Sequence, residues 1–291
     1  MPGRTILITG ANGQLGNEFR TLETQYPEHK FIFLSRQELS INDAEQVKQV
    51  FTHHHADWCV NCAAYTAVDK AESEKEEAIS INATAAGTLA GVCAELGTRF
   101  IHISTDYVFD GSSAQPYKED DATGPINMYG HSKLQGEQLV LKNNPDAIII
   151  RTSWVYSFFG NNFVKTMMRL MKDRESINVV SDQVGSPTYA ADLAEAIMQI
   201  INKDTAQASG IFHYSNEGQI SWYEFAQAIK EIIGSNCKVN PIPSSQYPTP
   251  AKRPEFSLLD KSKISATFGL QIPEWKKSLE VCLDKLSKIS A

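Results

Sequence analysis

Seven residues near the start, Gly10-Ala11-Asn12-Gly13-Gln14-Leu15-Gly16, restrict this chain more than any other stretch. The β-branched apolar run Arg4-Thr5-Ile6-Leu7-Ile8-Thr9 precedes them, and a segment of helical character from about Gln14 to Leu22 follows. Such a run reads as a buried parallel strand. Glycines between a strand and a helix permit a tight turn and a close backbone approach. The helix start then presents free N–H groups and the positive end of its dipole. A G-x-x-G-x-x-G loop in that context cradles the pyrophosphate of a dinucleotide. Gly10, Asn12, Gly13, Gln14, Leu15 and Gly16 are the expected contacts.

The elements that follow keep one rhythm. Strands are expected at Phe31–Leu34, Asp57–Asn61, Phe100–Ser104 and Ala147–Ile150. Helices are expected at Asp43–Phe51, Ser73–Leu96 with Gly97 as its stop, and Asn127–Lys142. Alternation of this kind implies an α/β fold: a doubly wound parallel sheet of the Rossmann type, joined by right-handed crossovers. After Arg151 the rhythm changes. Helices are expected at Asn161–Lys172, Ala190–Ile201, after an N-cap at Ser221 to Ile233, and Trp275–Leu286, with strands at Ile177–Val180 and Ile211–Tyr214. The proline-rich stretch holding Pro241, Pro243, Pro248, Pro250 and Pro254 is expected to be irregular. Residues 1–155 are taken as a dinucleotide-binding domain. Residues 156–291 are taken as mainly a smaller α/β substrate lobe, some of whose segments return to the main sheet.

Composition narrows the partners. The net charge is −7, and Lys and Arg form no basic block, which argues against a nucleic-acid surface. No apolar run is expected to approach the roughly 20 residues of a membrane helix. The stretch Met1-Pro2-Gly3-Arg4 lacks a signal peptide's apolar core, so a cytoplasmic protein is expected. Five irregularly spaced cysteines form no disulfide framework. Cys59-x-x-Cys62 has no second ligand pair near it and reads as two buried small residues; His53-His54-His55 reads as a solvated helix end. No metal site is expected.

The end of the second strand chooses between cofactors. An acid there bonds a ribose 2′-hydroxyl, whereas Ser35-Arg36 suits a 2′-phosphate. Arg36 therefore favours NADPH, and the nearby Glu38 leaves NADH open. Small residues Ala63 and Ala64, with Tyr65, end the third strand, where a doubly wound sheet opens its ligand crevice.

Tyr129-x-x-x-Lys133 lies on an expected helix, where i, i+4 spacing sets both side chains on one face. A carbonyl reduced by hydride needs a proton. A phenol can supply it if a neighbouring lysine cation lowers the phenol's pKa toward the working range. Lys133 can also bond the nicotinamide ribose hydroxyls. Upstream, Ser104-Thr105-Asp106 ends the fourth strand at the same sheet edge. Successive strand residues point oppositely, so either Ser104 or Thr105 faces the reacting oxygen.

The chain resembles the extended short-chain dehydrogenases, and in particular the dTDP-4-dehydrorhamnose reductase family. The resemblance rests on Gly10–Gly16, Asn61–Glu72, Ser104–Phe109, Tyr129–Lys133, Arg151–Tyr156, Asn161–Phe163, Asp182–Thr188 and Tyr247–Pro254, and spans nearly the whole length. It implies NADPH-dependent reduction of the 4-keto group of dTDP-4-dehydro-L-rhamnose to dTDP-L-rhamnose. It implies Tyr129 as proton donor, Lys133 as its tuning partner and Thr105 on the sugar oxygen with Asp106 beside it. It further implies Trp154 against the sugar, Val68 and Asp69 near the substrate entrance, and Arg253 on the diphosphate or thymidine. Where family members commonly carry Leu-Asp-Ile-Thr, this chain has Leu39-Ser40-Ile41-Asn42. Some members dimerise through magnesium and carboxylates; no such ligand set maps here, so neither Mg2+ nor a homodimer is inferred. Two other readings share the same residues. One is an epimerase or dehydratase that recycles its cofactor, although Tyr107 stands where a dehydratase carries Glu. The other is a non-catalytic NADP-binding regulatory subunit.

Overall fold

The computed structural model describes residues 3–203 and 208–290. The central strand β1 (Thr5–Thr9) shows why the chain begins as it does. Ile6 and Ile8 point into one apolar core and Leu7 into another, so both faces of the strand are buried. Around it lie β2 (Lys30–Leu34), β3 (Trp58–Asn61), β4 (Arg99–Thr105), β5 (Ile148–Thr152) and, from much later in the chain, β7 (Gly210–His213). All pairs are parallel, in the order β7-β5-β4-β3-β1-β2. The chain leaves β1 toward β2 on one side and returns as β3 on the other. The crevice beyond the carboxyl ends of β1 and β3 is therefore the topological switch point, where such sheets bind ligands.

Helices cover both faces. Helix α1 (Gln14–Leu22) packs against α6 (Ala190–Lys203). On the opposite face lie α2 (Ala44–His54), α3 (Lys75–Leu96) and α4 (Met128–Asn143). Asp43, expected within the first turn of α2, is its N-cap and accepts from the Gln46 N–H at 3.0 Å. Asn127 and Ser221 cap α4 and α7 (Trp222–Ile233) in the same way, Ser221 through a full capping box.

Helix α3 corrects one expectation. At 22 residues, it is by length and composition alone long and apolar enough to span a membrane. Its apolar face instead lies in the core beneath the sheet, where Leu89, Ala90 and Cys93 are fully buried. A π-turn at Ser80–Ala85 interrupts it. There Asn82 accepts from the Tyr65 N–H, and its amide donates to the Tyr65 carbonyl and to Ser132 of α4. The π-turn thus fastens the helix that carries Tyr129 to the loop that follows β3.

A second core gathers α5 (Phe163–Asp173), β6 (Ser176–Val180), α7, β8 (Lys238–Ile242) and α9 (Trp275–Ser290). Strand β8 pairs in parallel with β6 and contains Pro241, where irregular chain was expected. Pro241 is tolerated because β8 is an edge strand of a two-stranded sheet. Helix α8 (Ser262–Phe268) returns to the first core through Ile264 and Phe268.

Candidate active site

One cavity of about 910 Å³ opens at the switch point. Its floor is the glycine loop. Gly10 has φ 63°, and a Cβ there would stand 2.6 Å from the Ala63 nitrogen, so the β1 and β3 ends can approach only without a side chain. Gly16 does not line the cavity. A Cβ on it would meet the Ala11 Cα at 2.6 Å, so its part is to seat α1 against the loop. At the start of α1, Gly13 is the N-cap, no side chain caps it, and the first turn carries no acid. Its N–H groups and dipole are left for an anion, as a pyrophosphate requires. Asn12, Gly13, Gln14 and Leu15 line the cavity there. The Gln14 side chain also accepts from Asn162 at 2.9 Å, tying the loop to the second core.

Arg36 is exposed and lines the cavity beside Ser35. Glu38 does not line it, because its carboxylate is turned back to the Ser35 N–H at 2.7 Å. Leu39, Ser40, Ile41 and Asn42, which stand where family members carry Leu-Asp-Ile-Thr, line the same wall. Ala63, Ala64 and Val68 line the cavity; Tyr65 does not, and its hydroxyl donates to Glu74. Cys62, expected to be buried, is half-buried on the cavity wall, and burial pushes its thiol pKa upward. Among the described residues no group of three or more His, Cys, Asp or Glu side chains is placed to hold a metal.

Tyr129, Lys133, Thr105 and Asp106 meet on the far wall. Asn127 starts α4 in register, and its amide donates to the Lys252 carbonyl at 2.7 Å. The Thr105 hydroxyl donates to Asp106 at 3.0 Å and lies close enough to the Tyr129 phenol to favour its ionised form. Ser104 donates to the buried Glu137 at 2.6 Å, so Thr105 is the hydroxyl that meets the phenol. The electrostatics differ from expectation. Burial pushes the Tyr129 phenol up to about 12, helped by Asp106 and opposed only by Thr105. The Lys133 Nζ donates to the Ile103 carbonyl, 2.6 Å away, and lies 3.3 Å from His102 Nε2. Burial brings Lys133 itself down to about 8. It also lifts Asp106 to about 7 against the hydrogen bond from Thr105.

Trp154 forms an aromatic wall with two residues absent from the expected set. Its ring stacks on Trp222, centroids 3.7 Å apart, and Trp222 lies 4.6 Å from Phe163. Trp154 adopts φ 48°, a left-handed conformation that a bulky residue rarely takes. All three line the cavity. Asp69 and Arg253 do not. Arg253 donates to both Asp69 oxygens, at 3.0 and 2.9 Å, and to the Ala251 carbonyl. Its guanidinium holds the Asp69 carboxyl below the usual range. The cation expected on a diphosphate is thus committed to a clamp between the single turn Val68–Ala71 and the proline-rich stretch.

Residues 4–288 match the family model described as RmlD substrate binding domain. The chain is 43% identical over 281 residues to the dTDP-4-dehydrorhamnose reductase of Sinorhizobium fredii, covering 94% of each. A crystal structure of the Bacillus anthracis dTDP-4-dehydrorhamnose reductase in complex with NADP superposes with a TM-score of 0.93, at 40% identity over 97% of this chain and 99% of that one. A dTDP-glucose 4,6-dehydratase of Streptomyces venezuelae, 17% identical with a TM-score of 0.80 over 98% of this chain and 97% of that one, shares the fold. With the model match spanning nearly its whole length, this chain belongs to the dTDP-4-dehydrorhamnose reductase family.

Proposed function

We propose that the chain reduces the 4-keto group of dTDP-4-dehydro-L-rhamnose at the expense of NADPH, giving dTDP-L-rhamnose. The observation that carries this reading is the meeting of Thr105 and Tyr129, beside Lys133, in the one cavity floored by the glycine loop. Gly10, Asn12, Gly13, Gln14 and Leu15 hold the pyrophosphate, and Ala63, Ala64 and Lys133 the nicotinamide side. Arg36 pairs with the 2′-phosphate, and the turned-back Glu38 supports NADPH over NADH. When bound, NADPH supplies the hydride. Thr105 and Tyr129 bond the keto oxygen, and as charge develops there the Tyr129 O–H gives up its proton. Asp106 accepts a sugar hydroxyl or donates to one, according to its protonation. Trp154, backed by Trp222, packs on the sugar's C–H face. Arg253 and Asp69 act together, closing the proline-rich stretch over the substrate side.

Residues 1–155 form the cofactor unit in this reading, with the 190–213 stretch returning to its sheet, and the second core shapes the sugar side. The five cysteines, free in this fold, fit a reducing cytoplasm. The dehydratase alternative is disfavoured by Tyr107, whose half-buried phenol is pushed upward and cannot serve as a base at neutral pH. The test supplies dTDP-4-dehydro-L-rhamnose to the purified protein and follows NADPH and NADH absorbance in parallel. Stoichiometric oxidation of NADPH, faster than of NADH, is expected. Conversion of the sugar without net cofactor oxidation would favour the recycling alternative. Tight NADP binding with no turnover would favour the regulatory one.

A further inference from the structure

We propose that His102 sets the proton affinity of Lys133: Asn61 holds its imidazole in the Nε2–H form, which aims a donor at the lysine amine and disfavours the ammonium. The inference follows from hydrogen-bond polarity along one buried chain of groups. Its fixed point is the backbone N–H of Ala63, which can only donate and lies 3.2 Å from Asn61 Oδ1. The Thr9 hydroxyl converges on the same oxygen at 2.6 Å. The Asn61 amide is thereby fixed with its NH₂ toward His102 Nδ1, 3.0 Å away. Nδ1 must accept, so a neutral ring carries its proton on Nε2. Nε2 faces Lys133 Nζ at 3.3 Å.

The ring is fully buried, and both burial and the Lys133 charge drive its pKa well below the ordinary value, so the imidazolium is excluded at neutral pH. A neutral Lys133 accepts from Nε2–H while donating to the Ile103 carbonyl. An ammonium there sets donor against donor, and turning the tautomer only moves the conflict to Asn61. Proton uptake by Lys133 therefore breaks one buried hydrogen bond and makes none in its place.

The other charged and titratable groups around Lys133 do not supply this effect. Glu137, one turn along α4, favours the ammonium, but it is neutralised by Arg151 from β5. Tyr129 is held protonated, and Asp106 at the end of β4 would favour a cation once ionised. The Cys62 thiol, pushed upward, stays neutral. His102 is the neighbour whose polarity opposes the charge. The consequence for turnover rests on the reductase reading: Lys133 contributes its positive charge to the cavity only below its midpoint of about 8.

The test uses the whole protein and needs no turnover. Nitrogen-15 correlation spectra of the imidazole are expected to show the Nε2–H tautomer at about pH 9, roughly one unit above the Lys133 midpoint. The Nδ1–H tautomer there would overturn the proposal. Titration of the lysine Nζ signal, assigned by its loss in Lys133→Met, is expected to move up by about one unit in His102→Leu, a tenfold gain in proton affinity. A fall would mean that His102 accepts from the ammonium, and would overturn it equally. If His102→Leu does not fold, Asn61→Ala gives the same upward shift with the tautomer released. A rise in the Lys133 midpoint carries the alkaline limb of NADPH oxidation upward with it. If the limb fails to follow while the spectra agree, the reductase reading is at fault and the His102 assignment stands.

Discussion

Arg151 grips Glu137 in a buried two-pronged ion pair, Nε to Oε1 at 2.9 Å and Nη2 to Oε2 at 2.7 Å. The same Oε1 accepts from Ser104, and the guanidinium lies over the Phe109 ring at 5.0 Å. The pair joins β5, β4 and α4 behind the catalytic wall, where both side chains are only 2% exposed. Breaking one partner strands the other charge in the core. Arg151→Leu is expected to lower unfolding free energy by about 3–5 kcal/mol. Urea denaturation checks this, and a loss below about 1 kcal/mol would show that the pair is dispensable.

Asp106 ties stability to pH. Its folded pKa of about 7 lies above the unfolded value, so the folded state prefers the protonated carboxyl. Its stabilisation is full below about pH 4 and is lost as pH rises through about 7. Asp106→Asn removes that dependence. Relative to the parent, the variant should be more stable at pH 8 than at pH 4, by about 2–4 kcal/mol. Thermal melts at the two pH values measure the difference, and equal offsets would show that the carboxyl titrates normally.

The Trp154–Trp222 stack makes a binding prediction. Trp154→Ala removes the aromatic face from the sugar side and leaves the glycine loop untouched. KM for the nucleotide sugar should rise roughly tenfold, in line with about 1 kcal/mol for an aromatic contact and its lost area, while NADPH affinity measured by fluorescence stays within about twofold. A loss confined to NADPH affinity would move Trp154 to the cofactor side.

Arg253, expected from sequence on the diphosphate or thymidine, is clamped to Asp69. The pair is partly exposed, at 24% and 40%, so its effect on global stability should stay within about 1 kcal/mol. Asp69→Asn should instead raise the nucleotide-sugar KM by loosening the Ala251–Arg253 segment. Faster proteolysis of that segment, with an unchanged melting temperature, would accompany it. An unaltered KM would leave the clamp without a part in binding.

Much of this was legible because it is local. The glycine loop, the polar cap Ser221, and the i, i+4 pair Tyr129 and Lys133 each depend on neighbours within one or two helical turns. What escaped depends on distance in the chain. Asp69 and Arg253 are 184 residues apart, and no local pattern distinguishes a paired arginine from a phosphate ligand. Trp222 reads as one apolar residue of an amphipathic helix until the fold sets it on Trp154. Spacing puts Lys133 near Tyr129 but says nothing of Ile103 and His102, which lie against its Nζ. The π-turn leaves no sign in hydropathy, and the half-buried stretch around it passes for a membrane helix by composition.

Removal of a single oxygen tests the centre of the account. Tyr129→Phe takes away the phenol and keeps the ring. With dTDP-4-dehydro-L-rhamnose and NADPH, the turnover number is expected to fall by about 10²–10⁴-fold, while NADPH binds within about twofold of the parent protein. Turnover at the parent rate would contradict the assignment of Tyr129 as proton donor.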